Sequence, residues 1–136
     1  MVALETGILI KLLISTLLGM LIGLERGVHK KPAGLRTHSL VALGSCLFTL
    51  AALGLGDTEV SKLLPGIVTG IGFLGAGSIF QSKNKVKGMT TAAEIWTLAA
   101  IGVLVGLGEY YIAIASTILI LIILVPFKWF EKSIEK

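Results

Sequence analysis

Charged and hydroxyl side chains that could do chemistry lie at the ends of apolar stretches in this sequence. Glu25 and Arg26 close the first stretch, Arg36, Thr37 and His38 open the second, and Glu94 opens the fourth. A charge beside an apolar segment is costly unless it is paired, so we expect these side chains to meet. The two carboxylates could bind a cation, whereas the two guanidinium groups could bind an anion.

A pair between Glu25 and Arg36 is expected because only a short, turn-rich loop separates them. In one interpretation the pair is a structural clamp that fixes a helical hairpin, while Lys30 and Lys31 reach anionic lipid headgroups. In the other interpretation, the charged residues line a small polar cavity at the cytoplasmic ends of the first, second and fourth helices.

Thr91 and Glu94 also fit a structural role. The segment Thr91-Ala-Ala-Glu94 follows Gly88 and has the spacing of a capping box. In that motif each of the two side chains accepts a hydrogen bond from a backbone amide of the first helical turn. We therefore expect the fourth helix to be capped at Thr91, which gives Glu94 a structural explanation beside the functional one.

The other reactive side chains give weaker signals. Lys11 lies inside the first apolar run and is expected to extend its ammonium toward the interface. His29 and His38 lack a cysteine or carboxylate at metal-ligand spacing, which argues against zinc. Cys46 is the single cysteine, so no intrachain disulfide can form. No catalytic Ser-His-Asp or Cys-His arrangement is present, so we expect neither enzyme activity nor a cofactor, and the pattern names no metal.

The composition is that of a membrane protein. Hydrophobic residues make up 54% of the 136 residues, and charged residues make up 15%. A soluble domain carries roughly 25% charged residues, and here the apolar residues lie in long runs. The chain has no room for a separate soluble domain beside these runs, which excludes ATPase, kinase and nucleotide-binding modules. We expect contact with membrane lipid and none with nucleic acid.

The apolar runs predict five transmembrane helices, over residues 7–24, 38–56, 63–80, 92–108 and 110–127. Each run is long enough to cross a hydrocarbon core of about 30 Å when flanking residues contribute. The predicted fold class is therefore all-α: a polytopic transmembrane helical bundle that forms a single domain over residues 1–136.

The charge of the connecting segments predicts the orientation of the bundle. Most lysines and arginines fall in segments 26–36, 83–87 and 128–136, which five spans place on one side of the membrane. The positive-inside rule then puts the N-terminus outside and the C-terminus in the cytoplasm. Aromatic residues lie where interfacial anchors are expected, with Tyr110 and Tyr111 at the outer boundary and Trp96, Trp129 and Phe130 near the inner one.

Glycine spacing predicts close helix packing. Gly-x-x-x-Gly occurs as Gly19 with Gly23, Gly66 with Gly70, and Gly102 with Gly106. Small residues at this spacing let helix backbones approach in lipid. The third helix carries the most glycines, namely Gly66, Gly70, Gly72, Gly75 and Gly77. We expect it to be the central, most crowded helix, although glycine on several faces would also permit a broken helix that lines a cavity.

Prolines and further glycines predict where the helices end. Pro32 and Gly34 break the chain in the first basic loop, and Pro65 is expected at the start of the third helix. A shifted self-comparison also suggests a tandem helical-hairpin repeat. It aligns Gly23 with Gly77, Gly34 with Gly88, Leu35 with Met89 and Thr37 with Thr91. The alternative is that glycine and threonine recur at helix starts for capping reasons.

Several segments, in order along most of the chain, carry a family resemblance. They are Gly19-Met-Leu-Ile-Gly-Leu-Glu-Arg26, Lys31-Pro-Ala-Gly-Leu-Arg-Thr-His38, Gly70-Ile-Gly-Phe-Leu-Gly-Ala-Gly77 and Val86-Lys-Gly-Met-Thr-Thr-Ala-Ala93, followed by Trp96 and Ala99-Ala-Ile-Gly102. Together they resemble the MgtC/SapB family of bacterial inner-membrane proteins. The family's Glu-Arg is matched by Glu25 and Arg26, its Pro-Ala-Gly-Leu-Arg-Thr by residues 32–37, and its second loop motif by Gly88 and residues 91–93.

The resemblance implies a multi-pass plasma-membrane protein linked to magnesium homeostasis and, in some pathogens, to survival inside macrophages. Family members were often labelled magnesium transporters, while the better-known role of the namesake is regulatory and acts on other membrane machinery, including the proton-driven ATP synthase. Longer members carry a soluble C-terminal domain, whereas this sequence ends at Lys136. We therefore do not expect regulatory actions that depend on that domain.

Two hypotheses for function follow. The first is a regulatory or adaptor protein that acts through helix–helix contacts with itself, a dimer by default, or with another membrane protein. The second is a transporter or channel for magnesium or another small ion, which the glycine-rich third helix and the internal repeat favour. The first is favoured because no carboxylate pair lies in mid-membrane, and because the basic loops repel Mg²⁺.

Overall fold

The computed structural model describes residues 2–82 and 85–127, and these form a helical bundle with one short β-ribbon. The elements are α1 (Val2–Val28), α2 (Leu35–Leu55), α3 (Asp57–Gly77), β1 (Phe80–Ser82), β2 (Lys85–Lys87), α4 (Met89–Leu107) and α5 (Tyr110–Leu124). The two strands pair antiparallel, with Phe80 opposite Lys87. The predicted all-α bundle of five helices is confirmed in this part of the chain, and the ribbon is an addition to it.

Four helices within the described residues are long and apolar enough to span a membrane: Thr6–Val28 in α1, Leu35–Leu55, Thr58–Gly77 in α3, and Met89–Leu107. This makes the protein multi-pass. Helix α5 has 15 residues, or about 22 Å of helix, which is shorter than a hydrocarbon core of about 30 Å. The predicted anchors Trp129 and Phe130 lie outside the described residues, and the five-span, N-outside orientation stays a prediction.

The predicted start of α3 at Pro65 is wrong, because the helix begins at Asp57 and contains Pro65 in its interior. Gly56 is both the C-cap of α2 and the N-cap of α3, with φ +132. That backbone conformation suits glycine and reverses the chain in one residue, so the next helix starts well before the proline. In contrast, Pro32 and Gly34 lie in the connection between α1 and α2, as predicted.

Helix α4, rather than α3, is the central helix. It packs against α1, α2, α3 and α5, and half of its apolar stretch is buried inside the bundle, against 17% for that of α3. The packing follows the glycines of α4. A Cβ on Gly102 would lie 2.3 Å from the Ala42 carbonyl oxygen, and one on Gly106 would lie 2.7 Å from Thr49 Cβ. Helices α2 and α4 therefore touch at their backbones.

Of the other glycines predicted to lie at helix contacts, some are covered by a neighbouring helix and others are open. Gly19 and Gly23 pack on the first turns of α2, where added Cβ atoms would lie 2.7 Å and 2.8 Å from backbone atoms. In α3, Gly75 approaches Ala92, whereas Cβ atoms added at the other four glycines would meet no described atom within 4 Å; these are Gly66, Gly70, Gly72 and Gly77. Helix α3 is continuous rather than broken, and its glycines remain largely open.

Polar side chains inside the bundle bond to backbone carbonyls. Ser15 Oγ donates to the Ala42 carbonyl at 2.8 Å, and Thr49 Oγ1 donates to the Ser45 carbonyl at 2.9 Å. Lys11 was expected to extend to the interface, but its Nζ donates to the Gly106 carbonyl at 2.8 Å. Gly106 lies in the last turn of α4, where unpaired carbonyls and the negative end of the helix dipole favour a cation.

The two halves of the predicted repeat differ in their connections, because in the described chain no strand lies between α1 and α2 whereas the β-ribbon joins α3 to α4. The environments of the aligned residues differ as well. Gly34 and Gly88 are the N-caps of α2 and α4. Their backbones differ, since φ is −127 at Gly34 and +89 at Gly88. Thr37 is exposed whereas Thr91 is buried.

Candidate functional site

The candidate site lies where the C-terminal end of α1 meets the first turns of α2 and α4. Helix α1 continues to Val28, beyond the predicted apolar run, so Glu25 and Arg26 lie on regular helix. Gly23 lets this end of α1 approach the start of α2 closely. The result is a buried ion cluster made of Glu25, Arg26, His38 and Glu94.

Arg26 is the centre of this ion cluster and is only 3% exposed. Its Nε lies 3.0 Å from Glu94 Oε1 and 2.9 Å from Glu94 Oε2, and its N–H donates to Oε1. Its Nη1 donates to Glu25 Oε2 at 3.3 Å. One guanidinium therefore joins two carboxylates from different helices, which is the geometry for which arginine is suited.

His38 completes the ion cluster from α2 and is fully buried. Its Nδ1 lies 2.9 Å from the Gly34 carbonyl oxygen. A carbonyl can only accept, so Nδ1 carries the proton. The other ring nitrogen, Nε2, lies 3.5 Å from Glu94 Oε1 and forms no hydrogen bond with a described residue. In the neutral ring, Nε2 therefore carries no hydrogen atom that it could donate to the Glu94 carboxylate.

Three buried atoms of the ion cluster have no hydrogen-bond partner among the described residues: Glu25 Oε1, His38 Nε2 and Glu94 Oε2. His29 Nδ1 lies 2.8 Å from Glu25 Oε1, but the hydrogen bond of that nitrogen is to the Glu25 carbonyl at 2.9 Å. Two ionised carboxylates against one guanidinium leave a buried negative charge when His38 is neutral. Burying that charge costs free energy, and a proton or a small cation between these atoms would lower the cost.

The predicted pair between Glu25 and Arg36 is wrong, because Glu25 pairs with Arg26. Arg36 and Thr37 are exposed, and no described carboxylate lies within ion-pair distance of Arg36. Two residues apart on a helix means about 200° of rotation, so Arg36 and His38 point away from each other. The structure brings Glu25, Arg26 and Glu94 together and leaves Arg36 and Thr37 on another face of α2.

The predicted capping box is also wrong. Helix α4 begins at Met89 after the N-cap Gly88, and no side chain caps it. Thr91 is therefore inside the first turn, where it is 1% exposed, rather than at the cap. The carboxylate of Glu94 is directed to Arg26 instead of returning to its own helix end.

Of the three polar residues predicted to open the second helix, His38 is the one that the structure brings into the ion cluster. A further signal for His38 is the polar stripe on α2, where His38, Ser45 and Thr49 recur at helical spacing and are all buried. In a bilayer the polar face of a helix turns inward, so such a stripe marks the interior. Within the described ranges, no group of three His, Cys, Asp or Glu side chains is arranged to hold a metal ion.

An α-helical, multi-pass membrane bundle with a buried ion cluster at one end is the class of protein that the fold and the site define. The sequence profile of the MgtC family matches residues 12–133. The chain belongs to the MgtC family.

Curated relatives agree with this assignment. The chain is 46% identical over 113 residues to Protein MgtC of Salmonella typhimurium (strain LT2), which covers 83% of this chain and 49% of that protein. It is 38% identical over 128 residues to the Putative magnesium transporter YhiD of Escherichia coli (strain K12), covering 88% and 60% of the two chains. Protein SrpB of Synechococcus elongatus is 37% identical over 151 residues, covering 96% and 83%.

The chain spans about half the length of the first of these relatives. No solved structure matches it significantly.

Proposed function

We propose that this protein is a regulatory or adaptor protein of the bacterial plasma membrane that is linked to magnesium homeostasis and acts through helix–helix contacts. Membership of the MgtC family and the name of the Escherichia coli relative, a putative magnesium transporter, support the link to magnesium. The bundle itself supports the mode of action, because it leaves one helix face open for a partner.

The observation that carries the proposal is an apolar groove between α2 and α3, with a volume of about 920 Å³. Its walls are mainly aliphatic, and Gly44, Gly66 and Gly70 lie along it. Cβ atoms added at these glycines would meet no described atom within 4 Å. Exposed glycine backbone lets another helix approach closely, and in lipid such contact provides much of the association energy.

A transmembrane helix of a partner protein is the proposed occupant of this groove. Arg36 and Thr37 lie at the end of the groove nearest the start of α2, and Arg36 is without an ion-pair partner in the described part. A cation at that position can bind the free carbonyls at the C-terminus of a docked helix, since those carry partial negative charge.

The test is growth under magnesium limitation in a strain that depends on this protein. Gly70→Leu fills the groove without a clash inside the protein, so we expect normal thermal stability in detergent but lost growth. Gly54→Leu is the matched control, because Gly54 is also open and does not line the groove. Wild-type growth of the Gly70→Leu strain would overturn the docking function.

Self-association is proposed as well, because α3 keeps small-residue surface beyond the groove at Gly72 and Gly77. A two-fold symmetric dimer is the default for a homo-oligomer. Crosslinking in native membranes at several expression levels tests it, and a monomer at every level would contradict it. If Gly72→Leu abolishes the dimer and Gly70→Leu does not, the two surfaces are separate.

Transport is the second candidate function, and the ion cluster is the observation that favours it. Glu25 Oε1 and Glu94 Oε2 are buried without a hydrogen bond to a described residue, and carboxylate oxygens are the ligands that Mg²⁺ prefers. Ion flux in proteoliposomes, measured with a panel of ions, separates the two functions. If the wild type carries ion flux and Glu25→Gln does not, the protein is a transporter and the adaptor function is rejected.

A further inference from the structure

A second cavity, with a volume of about 590 Å³, lies beside the ion cluster. It is formed by the connection after α1, the β-ribbon and the start of α4. Its polar lining consists of the cations Arg26, Lys30, Lys31 and Lys87 and the hydroxyl residues Thr90 and Thr91. None of these residues lines the groove between α2 and α3, so this cavity is a separate feature.

The charge of this cavity is strongly positive. Arg26 is paired with carboxylates in the ion cluster, but no described carboxylate pairs with Lys30, Lys31 or Lys87. The described residues that line the cavity include no acidic side chain. A concave surface with an excess of one sign of charge and apolar walls concentrates ions of the opposite sign, here anions.

The N-terminus of α4 adds to the same field. Gly88 is the N-cap of this 19-residue helix, no side chain caps it, and its first turn has no acidic residue. The first amides of a helix have no acceptor within the helix and carry the positive end of its dipole. Gly88, Thr90 and Thr91 all line the cavity, so these amides lie at its wall.

Thr91 provides an independent sign that a ligand belongs here. It is 1% exposed, it lines the cavity, and its hydroxyl forms no hydrogen bond with a residue in the described ranges. By contrast, three of the other buried hydroxyls, those of Ser15, Thr49 and Thr117, each donate to a backbone carbonyl. The Thr91 hydroxyl therefore has a donor free for an acceptor in the cavity.

We propose that this cavity binds a phosphate group, either as free inorganic phosphate or as the headgroup of an anionic phospholipid. Lysines, threonine hydroxyls and helix-terminal amides are the donors that hold phosphate in proteins. The site goes beyond the proposed adaptor function and does not depend on it, because a different set of residues forms the groove.

The first arm of the test titrates purified protein, in uncharged detergent and at constant ionic strength, with inorganic phosphate by calorimetry. The second arm incorporates the protein into nanodiscs and measures retention of phosphatidylglycerol against phosphatidylcholine by native mass spectrometry. Thr91→Val removes the hydroxyl at nearly constant volume, and Lys87→Gln removes one charge. The matched controls are Thr97→Val and Lys62→Gln. Thr97 lies on α4 but outside the cavity, and Lys62 lies on α3, where it pairs with Glu59.

We expect phosphate or phosphatidylglycerol to bind and each of the two cavity variants to weaken binding roughly tenfold, with both controls at wild-type affinity. Response to phosphate identifies the free ion as the source, and response to phosphatidylglycerol alone identifies the headgroup. Thermal stability without ligand verifies that each variant is folded. If Thr91→Val does not fold, Lys87→Gln still tests the proposal. Binding of neither probe, or binding that the cavity variants leave unchanged, overturns the proposal.

Discussion

At the scale of single residues, Arg26 allows two acidic side chains to lie inside this bundle, because it pairs with both. It joins Glu25 and Glu94, which come from α1 and α4, while it is itself almost completely buried. A buried charge is tolerated when its partners stay in place and becomes very costly when one is removed. Arg36, ten positions further along, has none of these contacts in the described structure.

Arg26→Gln should therefore destabilise the protein by about 3 to 5 kcal/mol, because it leaves two carboxylates without their cation. Arg36→Gln is the matched control, and since Arg36 is exposed we expect a change within about 0.5 kcal/mol. Thermal unfolding in the same detergent measures both. Similar losses for the two variants would show that the ion cluster does not hold the helix ends together.

At the scale of helices, the protein is organised by which glycines are covered. The α2–α4 contact depends on Gly102 and Gly106, whereas the glycines along the groove stay open. Packing of this kind is set by backbone distance, so a single methyl group at a covered glycine pushes two helices apart.

Gly102→Ala should cost about 1 to 3 kcal/mol, because its Cβ would lie 2.3 Å from the Ala42 carbonyl oxygen. Gly66→Ala provides the control, since no described atom lies within 4 Å of its added Cβ. Alanine favours helix over glycine by up to about 1 kcal/mol, so Gly66→Ala should be neutral or stabilising. Unfolding midpoints of the two variants give the comparison, and a stable Gly102→Ala protein would contradict the close contact of α2 and α4.

Gly88→Ala should disrupt the connection between the β-ribbon and α4. Gly88 has φ +89, and an added Cβ would lie 1.9 Å from the Ser78 carbonyl oxygen. A side chain in this backbone conformation costs about 1 to 2 kcal/mol before the clash is counted. Gly34→Ala, at the N-cap of α2, has no described neighbour closer than 3.7 Å and should be tolerated better. Limited proteolysis near residue 88 measures the difference, and equal protection of both variants would contradict it.

At the scale of the whole molecule, the charge of the loops predicts the orientation in the membrane. Asp57 begins α3, and Lys85 begins the second strand of the ribbon after it. The 21 residues of α3 span about 31 Å, enough to place these two positions on opposite sides of a membrane. The positive-inside rule then predicts a cytoplasmic location for the basic ribbon.

Single cysteines at positions 57 and 85, in a Cys46→Ala background, should react differently with a membrane-impermeant thiol reagent. We expect labelling of intact cells at position 57 and labelling at position 85 only after the membrane is opened. Labelling of permeabilised cells at both sites is the control for reactivity. Equal labelling from outside would reject the predicted orientation.

The sequence by itself determined the class of protein, the number of helices and two of the packing faces. Long apolar runs must become helices in lipid, because every backbone N–H and C=O has to be satisfied within the chain. Glycine pairs such as Gly19 with Gly23 and Gly102 with Gly106 then indicate where helices approach, and both pairs pack on α2. Glu25, Arg26 and Glu94 were found because charges beside apolar runs need partners.

Only the tertiary structure decided which of these partners meet. A side chain turns by about 100° for each residue along a helix, so its direction depends on where the helix starts and on which helix lies beside it. That rotation puts His38 inside and Arg36 outside, although they are two positions apart. The same geometry makes α4 central and leaves the glycines of α3 open, because helix neighbours are chosen by mutual fit across the bundle rather than by any local pattern.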